Sequence, residues 1–212
     1  MDNCSIIIIT HDVNIVSEIV NDLSPLPVSI FNGAGFPSFS KLVNSAIVSA
    51  ENDNIILINY KARPQKEHIF KILELLDKGY GYVGLYRFGF FGINKNLIKK
   101  IGFFDERYVG GEYEDCDFVR RHLENNIACY EAEEIEYHHK KSLWNNSIAK
   151  QFFNQKWTHD YPNGIIYKNL PEEQYDYDLR IKIPKDNFLD LSHNYNWRDD
   201  YAFFKNRVQL NY

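Results

Sequence analysis

Two patterns of hydrophobic and polar residues alternate along the first eighty positions of the chain. Continuous apolar, β-branched runs at 4–10, 27–32 and 54–59 predict strands, and the third run is apolar enough to be buried on both faces. Apolar residues at helical spacing follow each run. They are Val16, Ile19, Val20 and Leu23, then Val43, Ala46, Ile47 and Ala50, then Ile69, Ile72, Leu73 and Leu76. This alternation predicts parallel βαβ units, and therefore an α/β domain with a twisted sheet.

The pattern changes after Gly79. Two glycine- and aromatic-rich segments, YGYVGLY and FGFFGIN, predict strands that either join the sheet antiparallel or carry a bulge. The remaining predicted elements are a short helix at 96–101, a helix ending near Asn125, strands at 127–131 and 135–138, and a helix from Asn145 with Phe152, Phe153 and Trp157.

The segment from Gly102 to Arg121, GFFDERYVGGEYEDCDFVRR, carries the candidate chemistry. Glu112, Glu114, Asp115 and Asp117 crowd a glycine-rich turn at the start of a predicted helix. Because free N–H groups and the helix dipole favour negative charge at that end, we expect these carboxylates to stay ionised, as a general base must be. Plain helix capping is the competing interpretation, since Asp and Glu are common helix starters.

Composition narrows the class of protein. The 212 residues are 44% hydrophobic and 25% charged, which is ordinary for a globular chain, and the net charge of −5 with scattered basic residues argues against a nucleic-acid partner. The amino-terminal apolar run is too short for a signal peptide or a membrane span. Cys4, Cys116 and Cys129 form no CxxC pair, which predicts neither a disulfide framework nor a zinc site. We therefore expect a cytoplasmic protein.

The predicted strands end in polar residues. The first ends at Thr10, His11 and Asp12, the second at Asn32, and the third at 59–64. Because ligands of open α/β sheets bind beyond the carboxyl ends of the strands, these ends should meet and form a cleft. The chain has no GxGxxG after the first strand and no GxxxxGK[ST], so a classical dinucleotide site and a P-loop are not expected.

With these elements in order, the chain resembles the GT-A glycosyltransferases, particularly the inverting family 2 enzymes that use nucleotide sugars. SIIIITHDVN is similar to the opening strand of that family, and FNGAG to the end of its second strand. KLVNSAIVSAENDNIILINYKARP is similar to the approach to the DxD motif. FGFFGINKNLIKKIGFFDERYVGGEYEDCDFVRR, the most specific block, looks like the acceptor loop and the ED motif. The resemblance covers about 5–142.

The resemblance implies a single GT-A domain over 1–165, with a central, mostly parallel twisted sheet flanked by helices. Its nucleotide-binding half would be 1–64 and its acceptor and catalytic half 80–142, while 166–212 would be a packed tail or a linker to a further module. Thr10, His11 and Asp12 would contact the nucleotide, and Asn32 stands where the family usually has an acid that reads uracil.

The chain departs from the family at the DxD position, which reads Asn59, Tyr60, Lys61. Lysine replaces the aspartate that holds Mn²⁺ or Mg²⁺ on the diphosphate in related enzymes. Either Lys61 and Arg63, beside Asn59, stabilise the diphosphate as fixed cations, or a divalent cation binds through other groups. The resemblance makes His139 a candidate metal ligand, with two surface histidines as the competing interpretation.

The resemblance also implies an inverting transfer from a nucleotide-sugar donor, UDP-sugar being favoured, to a glycan hydroxyl. Asp115 would be the general base, and Glu114 and Asp117 would bind sugar hydroxyls. Gly111 would let the backbone approach the sugar. Two alternatives stay open: a non-catalytic module that binds sugar or nucleotide, and a sugar-phosphate nucleotidyltransferase.

Overall fold

The computed structural model describes residues 3–33, 39–106, 108, 112–138, 149–150, 153 and 157. The strands in this part of the chain are β1 (Cys4–Thr10), β2 (Val28–Asn32), β3 (Asn54–Asn59), β4 (Ala62–Arg63), β5 (Tyr82–Tyr86), β6 (Phe90–Asn94), β7 (Cys129–Glu131) and β8 (Glu136–Tyr137). The helices are a 3-10 turn (Val13–Val16), α1 (Ser17–Leu23), α2 (Phe39–Ser49), α3 (Lys66–Asp77), α4 (Lys95–Ile101) and α5 (Glu114–Glu124).

The main sheet of the described residues has six strands in the order β2-β1-β3-β6-β5-β7. Strand β1 pairs parallel with both β2 and β3, and β5 pairs parallel with β7, whereas β6 runs antiparallel between β3 and β5. The register of β5 against β6 shifts between Gly84 and Tyr86. The mostly parallel α/β sheet, the antiparallel addition and an irregularity in the glycine- and aromatic-rich strands are therefore confirmed, although the irregularity lies between two inner strands. Strands β4 and β8 form a separate antiparallel pair.

Helices cover both faces of the sheet. Ile7 and Ile9 of β1 pack into one core together with α2, α4 and α5, whereas Ile6 and Ile8 pack into a second core with α1 and α3. Because successive side chains of a strand point to opposite faces, an unbroken apolar run is what a strand between two helical layers requires.

Three details differ from the predicted elements. The first helix begins with a 3-10 turn, which Asp12 caps through its side chain, and the two-residue strand β4 was not predicted. Gly92 of the FGFFGIN segment faces α3, where an added Cβ would lie 2.2 Å from Cγ2 of Ile72. This glycine therefore permits close packing of α3 on the sheet.

The carboxyl-terminal predictions fall mostly outside the described residues. Phe153 and Trp157 are described, and both are buried. The segment 166–212 and the domain boundary at 165 lie outside the described residues. None of the described helices has the length and apolar character needed to cross a membrane.

Helix α5 is held by a buried carboxylate. Asp117 is fully buried, and its Oδ2 accepts a hydrogen bond from Nε of Arg121 at 2.9 Å. Its Oδ1 accepts from Nε1 of Trp157 at 2.7 Å and from the hydroxyl of Tyr108 at 3.3 Å. Arg121 also donates to the carbonyl oxygen of Ile101, at the end of α4. These contacts tie α5 to three other parts of the chain.

We predict that Asp117→Ala lowers the free energy of unfolding by about 3–5 kcal/mol, because it leaves the buried Arg121 guanidinium without its carboxylate. Urea unfolding followed by circular dichroism measures the change. Glu74→Gln is the control, since its ion pair with Lys78 is exposed and its loss should alter stability little. A loss below about 1 kcal/mol in Asp117→Ala would show that this ion pair does not anchor the helix.

Candidate functional site

The carboxyl ends of the first three strands meet, as the sequence predicts. Thr10 pairs with Asn32 across β1 and β2, and the N–H of Tyr60 donates to the carbonyl oxygen of Ile9 at 3.1 Å. The ring of His11 contacts the ring of Tyr60 edge-on, with centroids 6.1 Å apart. The three polar strand ends therefore form one edge of the molecule.

The polar groups after β1 mainly stabilise their own turn. The hydroxyl of Thr10, a fully buried residue, donates to the carbonyl oxygen of Asp12 at 2.7 Å and accepts from the N–H of Asp12 at 3.0 Å. Oδ1 of Asp12 accepts from the backbone and side-chain nitrogens of Asn14, both at 2.9 Å. His11 and Asn32 are exposed. Asp12 is exposed as well, so three of the four predicted nucleotide contacts lie at the surface, whereas Thr10 does not.

The side chains after β3 are partly engaged by the turn. Oδ1 of Asn59 accepts from the N–H of Lys61 at 3.0 Å, and Nζ of Lys61 lies 5.5 Å from the ring centroid of Tyr60. Nη1 of Arg63 donates to the carbonyl oxygens of Tyr60 and Ala62 at 2.9 and 3.1 Å. Its Nη2 lies 3.9 Å from the Glu18 carboxylate. Arg63 therefore serves its own turn more than the cleft.

A cavity of about 550 Å³ joins the end of β3 to the acidic turn, since Asn59 and Asp115 both line it. The other acidic lining residues are Glu112, Glu114 and Glu133. The aromatic lining residues are Phe39, Tyr86, Phe88 and Tyr137. The cavity thus combines an acidic region and an aromatic region.

Arg87 is the one cationic side chain among the described residues that line the cavity, and neither Lys61 nor Arg63 lines it. Arg87 lies between β5 and β6 with a φ of 40°, in the left-handed region that non-glycine residues rarely adopt. Its Nη2 is 3.5 Å from Oε1 of Glu133, and both side chains are exposed. The guanidinium can therefore turn toward a ligand without breaking a buried pair.

The acidic turn has unusual backbone geometry. Glu112 and Tyr113 have φ values of 74° and 69°, and α5 begins immediately after them. Oδ1 of Asp115 accepts from the N–H of Cys116 at 2.7 Å, which orients a partly exposed carboxylate. Strained residues persist where the surrounding structure holds them, and they concentrate at functional sites. In this chain, Arg87 and Glu112 both line the same cavity.

Glu114 has a different environment from Asp115. Only 6% of Glu114 is exposed, and its Oε2 has no hydrogen-bond partner among the described residues. Burial raises the pKa of Glu114 to about 8, and the negative charges of Asp115, Glu112 and Asp117 add to the shift. The expectation that all the carboxylates of this turn stay ionised is therefore wrong for Glu114, because burial outweighs the favourable helix start.

Of the remaining predicted site residues, Asp117 does not line the cavity. Asp117 is fully buried among Arg121, Tyr108 and Trp157, so its expected contact with a sugar hydroxyl is replaced by a structural role. Gly111 and His139 lie outside the described residues.

Several residues of the site were not predicted from the sequence. Arg87, Tyr86 and Gly89 come from the hairpin between β5 and β6, and Glu133 and Tyr137 follow β7. The glycine- and aromatic-rich composition of 80–94 was the available signal, but it fits a core strand equally well.

Comparison with known proteins identifies the fold. Neither a protein-family model nor a curated protein matches the chain. A solved structure of glucosyl-3-phosphoglycerate synthase from Mycobacterium tuberculosis, with Mn²⁺, UDP and glucosyl-3-phosphoglycerate, is similar at a TM-score of 0.52 and 9% identity over 66% of this chain and 73% of that one. The same enzyme with Mn²⁺, UDP-glucose and glycerol 3-phosphate gives a TM-score of 0.54 and 10% identity, covering 71% and 77%.

A β1,4-galactosyltransferase 7 from Drosophila provides a second comparison. The structure is that of a point mutant with manganese, UDP-Gal and xylobiose, and it has a TM-score of 0.52 and 14% identity over 77% of this chain and 83% of that one. At such identities the likeness concerns architecture. The chain has the GT-A fold, with a mostly parallel central sheet flanked by helices.

The raised pKa of Glu114 predicts a pH dependence of stability. A carboxyl whose pKa is higher in the folded state contributes stability that is complete below its unfolded pKa, near 4.5, and is lost as the pH rises through about 8. We predict that Glu114→Gln becomes more stable than the unmodified protein between pH 5 and 9, by on the order of a few kcal/mol. Urea unfolding at a series of pH values measures the difference.

The control for this experiment is Glu67→Gln, because Glu67 is an exposed residue of α3. Its effect on stability should not vary over the same range. A Glu114→Gln difference that stays constant from pH 5 to 9 would contradict the raised pKa.

Proposed function

We propose that the chain is a glycosyltransferase that moves a sugar from a UDP-sugar to a hydroxyl acceptor with inversion. The observation that carries the proposal is the cavity that Asn59 and Asp115 share within a GT-A fold. The GT-A structures it resembles hold UDP or a UDP-sugar. His11, Asp12 and Asn32 remain proposed donor contacts at the converging strand ends, whereas the fully buried Thr10 stabilises their turn.

In the proposed reaction, Asp115 is the general base. The acceptor oxygen forms a bond to the anomeric carbon, while the bond from that carbon to the diphosphate oxygen breaks and UDP leaves with the electron pair. Asp115 takes the hydroxyl proton as the new bond forms. The hydrogen bond from the N–H of Cys116 fixes one carboxylate oxygen and leaves the other for the proton.

Glu114 is the proposed neighbour of the base. With its pKa at about 8, it carries its own proton at neutral pH and does not compete with Asp115 for the proton of the acceptor. A protonated carboxyl donates a hydrogen bond, so Glu114 can hold a sugar hydroxyl next to the base.

The charge on the departing diphosphate requires a cation, and we propose Arg87 for this role. It lines the cavity, and its planar guanidinium matches the geometry of phosphate oxygens. Lys61 remains a second proposed cation at the end of the β3 strand. Arg63, which the sequence suggested for the same role, donates to its own turn.

The described residues do not fit a divalent cation held by the protein itself. They contain no group of three or more His, Cys, Asp or Glu side chains arranged to bind a metal. At the position of the DxD motif, Oδ1 of Asn59 accepts a hydrogen bond from the backbone N–H of Lys61. The side chain of Lys61 is itself a cation. The similar structures contain Mn²⁺ or Mg²⁺. We propose that any such ion would be held mainly by the oxygens of the donor diphosphate, as Mg²⁺ commonly is.

This proposal predicts no saturable binding of Mn²⁺ to the protein alone in a titration followed by electron paramagnetic resonance. Binding should become measurable when UDP is added, because the diphosphate supplies the missing oxygen ligands. Tight binding without UDP would show that protein side chains form a metal site, with His139 as the first residue to substitute.

We predict that Asp115→Asn lowers the rate of sugar transfer by about 10²–10⁴-fold, because the amide cannot accept the proton. Release of UDP from UDP-sugars, measured with and without acceptor, provides the rate, and calorimetric titration with UDP should show unchanged affinity. Glu67→Gln is the matched control and should keep full activity.

Full transfer by a folded Asp115→Asn variant would remove Asp115 from the role of base. UDP binding without turnover in the unmodified protein would favour a non-catalytic binding module. Release of pyrophosphate from UTP and a sugar 1-phosphate would instead indicate a nucleotidyltransferase.

A further inference from the structure

The aromatic region of the cavity contains a stacked pair of rings. Tyr86 and Tyr137 lie with centroids 4.3 Å apart and planes 10° from parallel, and both are half-buried. Gly89 adjoins the pair, since an added Cβ would lie 2.5 Å from Cε2 of Tyr137 and 3.1 Å from Cδ1 of Tyr86. The hairpin therefore lacks a side chain at the position where one would push the rings apart.

Such a pair suits a sugar ring. The C–H groups of a pyranose form a flat apolar face that packs on aromatic carbon, while the phenolic hydroxyls of the two tyrosines offer polar contacts at the edge. Both tyrosines line the same cavity as Asp115, so a sugar packed on them lies in the compartment of the proposed base.

A buried oxygen without a hydrogen-bond partner belongs to a residue that lines the same cavity. Oε2 of Glu114 has no hydrogen-bond partner among the described residues, although Glu114 is only 6% exposed and lines the cavity. Buried polar atoms are normally hydrogen-bonded, so an orphan at a cavity wall indicates a group that a ligand supplies. A sugar hydroxyl is such a group, because it both donates and accepts.

The charge of the cavity limits which sugar can bind. Among the described lining residues, Asp115 and Glu133 contribute carboxylates and Arg87 is the cation. Arg87 already lies 3.5 Å from Glu133, and a donor diphosphate would occupy it further. A second anionic ligand would lie beside the Asp115 carboxylate, and like charges placed together cost several kcal/mol in recognition.

We propose that Tyr86, Tyr137 and Glu114 form an acceptor subsite that takes an uncharged pyranose and rejects acidic or phosphorylated acceptors. This inference rests on the proposed function, because it places the acceptor hydroxyl beside Asp115. The topology supports the assignment to the acceptor. The proposed nucleotide contacts lie at the ends of β1 and β2, whereas the three residues of the subsite belong to 82–137, on other elements of the fold. The similar synthase structures, by contrast, contain phosphoglyceric acid or glycerol 3-phosphate.

The test compares matched sugars that differ in one charge. Methyl glucoside and methyl galactoside are titrated into the full 212-residue chain with UDP present, alongside methyl glucuronide and methyl galacturonide, and binding is followed by NMR. We expect at least one neutral glycoside to bind at least about tenfold more tightly than its uronide. Added salt should narrow the gap, because it screens the repulsion.

Single substitutions test which residues bind the glycoside and which repel the uronide. Tyr86→Ala should weaken binding of the neutral glycoside by about threefold to tenfold while the affinity for UDP stays unchanged. Gly89→Ala should do the same by displacing the ring pair. Glu133→Gln, at an exposed position, should narrow the gap between glycoside and uronide, whereas the control Glu67→Gln should leave it unchanged.

Three outcomes would each overturn the subsite. The uronides bind as tightly as the glycosides or more tightly, no glycoside binds while UDP binds normally, or a folded Tyr86→Ala variant binds the glycoside fully. Equal rates of transfer to glycoside and uronide would also overturn it and leave the proposed function standing. A Tyr86-dependent preference for glycosides without transfer from any UDP-sugar would count against the proposed function alone.

Discussion

The buried ion pair of Asp117 and Arg121 fixes the orientation of α5, on which the site depends. Asp117 joins α5 to Tyr108 and Trp157, and Arg121 joins the same helix to the end of α4. Successive helical residues are rotated by about 100°, so Asp117 lies about 200° around the helix from Asp115. When Asp117 is held in the interior, Asp115 must therefore point to the other side, where the cavity lies.

Glu114 and Asp115 are adjacent at the start of α5, but their carboxylic groups lie in different environments. Glu114 is buried and its pKa rises to about 8, whereas Asp115 is partly exposed and takes a hydrogen bond from the next N–H. Environments that separate neighbouring acids in this way provide one protonated group and one acceptor. Both the proposed base and the proposed sugar contact follow from this difference in burial.

The distribution of positive charge is the least regular part of the site. The family resemblance predicts a DxD motif after the third strand, and this chain has Asn59, Tyr60 and Lys61 there. The cation that lines the cavity, Arg87, comes instead from a hairpin residue with a positive φ. In the proposed function, the connection between β5 and β6 therefore supplies the positive charge at the donor side, while the acidic turn supplies the base.

The strands β1 to β3 and the helices after them could be predicted from the sequence alone. An unbroken apolar run fits a strand covered on both faces, and a 3.6-residue period fits a helix with one buried face. The sequence also singled out the acidic turn through the density of carboxylates before an amphipathic helix. It assigned both Asp115 and Asp117 to the site, because nothing local shows that Trp157, forty residues away, binds Asp117 in the interior.

Tertiary structure alone decided the rest of the site. Arg87 and the stacked pair of Tyr86 and Tyr137 come together because β5 lies beside β6 and β8 pairs with β4. The pairing of β4 with β8 joins residues more than seventy positions apart and brings Tyr137 to Tyr86. Local periodicity carries no record of such distant contacts. The pKa of Glu114 depends in the same way on burial, which exists only once the chain has folded.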